Sequence, residues 1–396
     1  MYEPNLDLRI NPGGTLTPAE VVGRDSFVAS IWEALGHQSV LLTAERRMGK
    51  TSVLLKLEAE PLVGTCVIKR TLQGIRSPDE FVRKFIADVE KASPGLLKHS
   101  LGDRLAQAGI KRIGSSPISV EFAPTDDKSW KDLVSETFAA LDQGVEELVV
   151  LLWDELPQMI ADIRDEHDAN TAREMLDVLR AARESHRGVR MVLSGSLGIH
   201  HVVDDLRARG GMWVPTHDMR SVDLPPLTED DAAYLAGELL RNHEIECDDV
   251  PTVARAIAVE VDCIPYYVHQ TALQLQIRQR TGAPAADAPL VRGVVKNAID
   301  DPLDPWELGH YVARTPIYYR KEVELVNAML DLIARSADPL DIDALEEGLA
   351  TFGPPPPRQH LRGVLDLLCK DYYLRSDPEY TFLRTLVRRT WLERRA

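Results

Sequence analysis

One eight-residue segment constrains this chain more than any other: Ala44-Glu45-Arg46-Arg47-Met48-Gly49-Lys50-Thr51. The short apolar run Ser39-Val40-Leu41-Leu42-Thr43 precedes it and reads as a buried strand. A helix is expected from Thr51, with Ser52 in its first turn. Strand, loop, helix with Gly-Lys-Thr at the loop's end is the spacing of a phosphate-binding loop. Each part has a physical reason. Backbone N–H groups at a helix N-terminus converge on phosphate oxygens, and the helix dipole favours the anion. Gly49 lets the backbone approach closely, Lys50 sets a cation against the β- and γ-phosphates, and Thr51 offers a hydroxyl to Mg²⁺. Ala44 stands where such loops carry their first glycine, and alanine fits there if φ is negative.

A second signal lies downstream. Leu148-Val149-Val150-Leu151-Leu152-Trp153 is the strongest strand in the sequence, and it ends in Asp154-Glu155. A buried strand delivering two carboxylates to its tip is a Walker B pattern. Asp154 then holds Mg²⁺ and Glu155 polarises the attacking water as a general base. The next strand, Val189 to Leu193, runs into Ser194-Gly195-Ser196. In a sheet of order 5-1-4-3-2 its tip faces the γ-phosphate, so Ser194 or Ser196 is placed to sense that group.

Further strands are expected at Cys66-Val67-Ile68, Ile118-Ser119-Val120 and Ser221-Val222-Asp223-Leu224. They alternate with helices near Ser26–Leu35, Pro78–Lys91, Ser129–Leu141 and Ala169–Ser185. Continuous apolar strands alternating with helices predict an α/β fold with a parallel sheet covered on both faces. After Pro226 the pattern turns helical, with segments near Glu229–Asn242, Val250–Val261 and Tyr266–Gln279, then a linker over Thr281–Ala286. Three more helices, Lys321–Arg335, Asp341–Leu349 and Arg358–Asp371, precede two short strands at Tyr372–Leu374 and Tyr380–Phe382. Three helices and a hairpin make a winged-helix pattern. The expected organisation is a P-loop core with an N-terminal arm over 1–225, a helical lid over 226–300, a connector over 301–317 and a winged helix over 318–396.

Charge narrows the partners. Asp and Glu number 62 against 46 Lys and Arg, a net charge of −16 over 396 residues. That excludes a general nucleic-acid coat. The segment Arg358–Ala396 departs from this balance, with nine basic residues against five acidic ones. Four cysteines without a C-x-x-C pair exclude a disulfide scaffold. The longest apolar run, Leu148–Trp153, is too short to span a bilayer. The N-terminus shows neither a basic start nor an apolar stretch, so a cytoplasmic, membrane-free protein is expected.

Taken together, Val22-Gly23-Arg24-Asp25, Arg46-Arg47-Met48-Gly49-Lys50-Thr51-Ser52, Asp154-Glu155-Leu156-Pro157 and Ser194-Gly195-Ser196 resemble the AAA+-related STAND P-loop ATPases, archaeal-type ATPase branch. The resemblance covers roughly residues 10–390. It implies ATP and Mg²⁺ as ligands, with Gly23 and Arg24 packing near the adenine and residues 44–52 around the phosphates. It implies further that Arg220, before the fifth strand, acts on a neighbouring subunit's nucleotide. The lid of that group carries a Gly-x-Pro signature; here the segment reads Cys263-Ile264-Pro265, so Pro265 matches and Cys263 replaces the glycine.

Three functions fit these residues. The first is an ATP-hydrolysing molecular switch acting through an unidentified protein partner or through homo-oligomer assembly. The second is a DNA-acting AAA+ ATPase of the initiator or transposition-regulator kind, with the winged helix on duplex DNA. The third is a degenerate ATPase serving as a scaffold, which the intact Lys50, Thr51, Asp154 and Glu155 disfavour. The winged helix is expected to serve protein contact more than DNA. Its third helix exposes Arg358, Gln359, Arg362 and Asp366, a mixed set, and Asp341, Asp343, Glu346 and Glu347 lie on the second helix.

Overall fold

The computed structural model describes residues 7–94, 96–97, 130–195, 198–207, 213–351 and 353–395. The expected strand at Ile118–Val120 and the candidate Ser196 lie outside the described residues. The chain divides into two compact units. One comprises Arg24–Arg46 and Lys50–Leu224; the other comprises the arm through Gly23, the Arg47–Gly49 stretch and Pro225–Ala396.

The first unit is built on a sheet of β1 Val40–Thr43, β2 Thr65–Thr71, β3 Leu148–Asp154, β4 Val189–Ser194 and β5 Arg220–Asp223. All pairings are parallel, in the order β2-β3-β4-β1-β5, which is the expected 5-1-4-3-2 read from the other edge. The helices are α1 Asp25–Leu35, α2 Lys50–Ala59, α3 Pro78–Ala92, α4 Trp130–Gly144, α5 Leu156–Glu166, α6 Ala169–Ser185 and α7 Ile199–Leu206. From Val149 to Asp154 β3 is buried at every position, which is why it reads as an unbroken apolar run. Trp153, its penultimate residue, is caged edge-on by Phe81 at 5.2 Å, Phe85 at 5.4 Å and Phe138 at 6.3 Å. Such edge-to-face contacts are favourable, and they fix the strand one residue before its carboxylates.

The second unit opens with α8 Glu229–Asn242, α9 Val250–Glu260, α10 Pro265–Arg280 and α11 Ala288–Asp300. Side-chain caps start three of these helices: Thr228 accepts from the Asp231 N–H at 3.1 Å, Asp249 from Thr252 at 3.0 Å and Asp287 from Leu290 at 2.7 Å. Helix α11 follows the Thr281–Ala286 linker, in a stretch where the sequence predicts no element; Asp287 is its cap and Val291, Val294, Val295 and Ala298 its buried stripe. The short helices α12 His310–Ala313 and α13 Thr315–Tyr319 follow. The winged helix then comprises α14 Val323–Arg335, α15 Ile342–Ala350, α16 Arg358–Lys370, the antiparallel hairpin β6 Leu374–Ser376 and β7 Tyr380–Phe382, and α17 Thr385–Arg395. The strand expected at Tyr372–Leu374 starts later, because Tyr372, at φ +63°, turns the chain out of α16 in the left-handed region.

The N-terminal arm packs within this second unit. The Ile10 N–H donates to His243 Nε2 at 2.9 Å, the Asn11 N–H to His269 Nδ1 at 3.3 Å, and Asn242 Nδ2 to the Leu8 carbonyl at 3.2 Å. A ring nitrogen that accepts from a backbone N–H carries no proton. Burial agrees for His269, pushing its pKa down to about 4. Among the described residues no helix is long and apolar enough to cross a membrane.

Candidate nucleotide site

Register brings the candidate groups to one end of the sheet. Leu42 pairs with Ser194, Thr43 with Asp223, and Trp153 with Leu193. The carboxyl tips of β1, β3, β4 and β5 therefore lie side by side. The loop from Ala44 leaves β1 at that tip and returns as α2 from Lys50. Two left-handed residues make the turn, Arg47 at φ +73° and Gly49 at φ +89°. Gly49 adopts this without steric cost. Ala44 is not among the positive-φ residues, so a methyl group there meets no backbone penalty.

Lys50 is buried, and its ammonium donates to the Ala44 carbonyl at 3.0 Å and the Glu45 carbonyl at 3.4 Å. Burial lowers its pKa, against the opposing pull of Glu155, Asp154, Asp223 and Glu45. A buried cation held by two backbone carbonyls is well suited to an incoming polyanion.

Asp154 is the hub of the other half. Its Oδ2 accepts from Thr51 Oγ1 at 2.7 Å, and its Oδ1 from Ser194 Oγ at 2.5 Å and from the Glu155 N–H at 3.1 Å. The Thr51 hydroxyl and the Asp154 carboxylate are hard oxygen donors in direct contact. That donor set suits Mg²⁺, which takes one or two protein oxygens and completes its shell with water and phosphate. Glu155 follows in the left-handed region, at φ +61° and ψ +34°, as the residue before α5. A non-glycine residue there costs about 1–2 kcal/mol, and such strain concentrates at functional positions.

The remaining candidates fall as follows. Ser194 is fully buried with its hydroxyl committed to Asp154, so it orients that carboxylate. Met48 and Glu45 are buried, Arg46 is exposed and Ser52 half-buried. Gly23, at φ +71°, leads into α1, and Arg24 is buried at that helix's start. Pro265 occupies the first turn of α10. Cys263, at φ +56°, sits in the left-handed conformation that glycine adopts freely. Arg220 pairs with Val40 at the start of β1, so it is exposed at the opposite end of the sheet from the loop. The structure does not bring it to Lys50; three residues of strand, roughly 10 Å, separate the two ends.

One residue escapes sequence reasoning. A side chain on Gly195 would meet Pro157 Cδ at 2.5 Å, so only glycine lets the turn after β4 approach the start of α5 beside Glu155. The Ser-Gly-Ser context gives no hint of that neighbour.

These observations define a class of fold: a P-loop NTPase-type parallel sheet of order 5-1-4-3-2, followed by a helical region and a C-terminal winged helix. No family model and no curated protein matches the chain. Among solved structures it is similar to a Walker-type ATPase of Pyrococcus abyssi, with a TM-score of 0.65 and 15% identity over 97% of this chain and 99% of the other. It is also similar to the ORC2 protein of Aeropyrum pernix, solved as ADPNP–ADP complexes, with a TM-score of 0.50 and 11% identity over 98% of each chain.

Proposed function

We propose that the protein binds Mg-ATP at the 44–52 loop and hydrolyses it, as a nucleotide-controlled switch of the STAND kind. The observation that carries this reading is the convergence of Lys50, Thr51, Asp154 and Glu155 at neighbouring strand tips. In it, Lys50 and the loop N–H groups hold the phosphates, Thr51 and Asp154 hold Mg²⁺, and Glu155 takes the proton of the attacking water. Ser194 keeps Asp154 oriented, Gly23 and Arg24 are assigned to the adenine, and Pro265 to the lid's contact with the nucleotide. The name of the Pyrococcus abyssi relative supports the ATPase part. The proposed setting is the cytoplasm. The proposed output is a protein partner or self-assembly, with Arg220 supplied to a neighbouring copy's nucleotide.

Action on DNA is the second reading, favoured by the winged helix itself. Against it stands the state of that region's arginines. Arg389 pairs with Glu260 at 2.8 Å, Arg394 with Asp304 at 2.8 Å and Arg395 with Asp331 at 2.8 Å. Arg388 donates to the Ala334 and Ser336 carbonyls, and Arg358 pairs with Asp343. Groups so engaged are poor phosphate contacts. Steady-state turnover with and without duplex DNA tests both readings. Glu155→Gln should lower turnover by roughly 10²–10⁴ while ATP stays bound. Unchanged turnover rejects Glu155 as the base, and strong stimulation by DNA favours the second reading.

A further inference from the structure

The phosphate loop carries a second arginine whose position the phosphate-binding role leaves unexplained. Within the second unit, the Arg47 guanidinium lies over the Tyr266 ring, 4.2 Å from its centroid, and pairs through Nη2 with Glu307. Arg47 Nε is buried with no hydrogen-bond partner among the described residues. Glu307 belongs to the turn between α11 and α12, and its side chain is 51% exposed against 20% for Arg47. A carboxylate at a phosphate loop is the wrong charge for that loop's ligand, and an arginine prefers two-pronged contact with phosphate.

The turn bearing Glu307 is itself tied onward. Asp304 accepts from the Leu308 N–H and the Gly309 N–H, both at 2.8 Å, and pairs with Arg394 of α17 at 2.8 Å. Asp304 at φ +50° and Glu307 at φ +55° are both left-handed non-glycine residues, so the turn is strained. Trp306 between them is fully buried, stacked on Tyr267 at 6.0 Å, and anchors the turn. A continuous set of contacts thus runs from the phosphate loop through Arg47, Glu307 and Asp304 to the terminal helix of the winged helix.

We propose that Glu307 is a latch that phosphate displaces from Arg47, and that the 301–309 turn relays nucleotide binding to the winged helix. The inference rests on the Mg-ATP reading above and specifies how that site is regulated. With no phosphate in reach, Glu307 holds Arg47 and the turn is locked. Phosphate oxygens compete for the guanidinium, Glu307 is released, and the strained turn loosens at the point where Asp304 grips α17.

The test is Mg-ATP affinity by calorimetry on the full chain, for wild type, Glu307→Gln, Arg47→Ala and the double variant. A partly exposed ion pair is worth up to about fivefold in an equilibrium constant. Glu307→Gln should therefore tighten binding by about two- to fivefold, and the gain should vanish once Arg47 is alanine. Equal affinity for wild type and Glu307→Gln, or a gain that survives Arg47→Ala, overturns the latch and leaves ATP binding intact. Failure of every form, wild type included, to bind overturns the nucleotide reading and the latch with it. Hydrogen exchange on wild type reads the relay without any substitution. The Leu308 and Gly309 amides should exchange faster with Mg-ATP, and unchanged protection rejects the relay. Glu307→Ala repeats the affinity arm should the glutamine variant fold poorly.

Discussion

The two ends of the chain use buried charge in opposite ways. At the strand tips of the first unit, the direct partners of Lys50 among the described residues are carbonyls, and Asp154 accepts from two hydroxyls and an N–H. Against the winged helix, Arg314, between α12 and α13, donates to the Tyr373 hydroxyl at 2.8 Å and the Asp371 carbonyl at 2.7 Å, and the Asp371 carboxylate accepts from the Tyr319 hydroxyl at 2.5 Å. The Arg314 guanidinium also lies 4.3 Å from the Tyr373 ring centroid and 5.0 Å from that of Tyr311. The first arrangement is built to receive charge, the second to neutralise its own. Substitutions should accordingly cost activity at one end and stability at the other.

The largest effect expected is at Lys50. Lys50→Ala should abolish detectable Mg-ATP binding yet leave the melting temperature unchanged or higher, since it removes a cation that burial disfavours. Calorimetry and thermal unfolding on one preparation measure both, and tight binding by the folded variant would reject the site.

Next comes acid. His269 is neutral in the fold at about 4, against an ordinary 6.5, with Glu20 and His243 the charged or titratable neighbours acting on it. Below pH 6.5 the unfolded chain takes up a proton that the fold refuses. Stability is thus lost as pH falls from 6.5 to 4, by about 3 kcal/mol in all. Denaturant titrations across that range should show the loss, and His269→Gln should flatten the slope.

At Arg314 the comparison runs the other way. Arg314→Ala should lower stability by about 2–3 kcal/mol, from lost charged hydrogen bonds and ring contacts, with Mg-ATP affinity unchanged. A loss of affinity without loss of stability would dissolve the distinction between the two ends.

The smallest effect is expected at Asp262, a half-buried carboxylate whose pKa desolvation raises and which caps α17 by accepting from the Thr385 N–H at 3.1 Å and the Leu386 N–H at 2.7 Å. Asp262→Ala should cost about 1–2 kcal/mol, as for other helix caps. An unchanged unfolding midpoint would show the cap to be idle.

Much of this was legible in the sequence where local chemistry and tertiary role coincide. The loop at 44–51 and the carboxylates after Trp153 sit beside strong strands, and unbroken apolar runs betray a sheet covered on both faces. Helix α5 escaped the sequence reading, although Pro157 in its first turn is a favourable helix-start signal. The close approach of Gly195 to Pro157 and the Arg47–Glu307 pair join residues 38 and 260 positions apart in the chain. No periodicity reports contacts of that range. Ser194 shows the same limit: the sequence placed it at a strand tip, but only the fold shows its hydroxyl spent on Asp154.

Asp262 carries a consequence for modularity. The helix that closes the winged helix begins on a residue contributed by the turn after α9, so the 226–300 and 318–396 segments share a structural part. A boundary drawn between them in the sequence does not cut between independent pieces. Recombination or engineering that exchanges the terminal segment alone would leave α17 without its first-turn acceptor and Arg389 without Glu260. The unit that can be inherited or transplanted intact is the whole stretch from the lid to the C-terminus together with the N-terminal arm that packs on it.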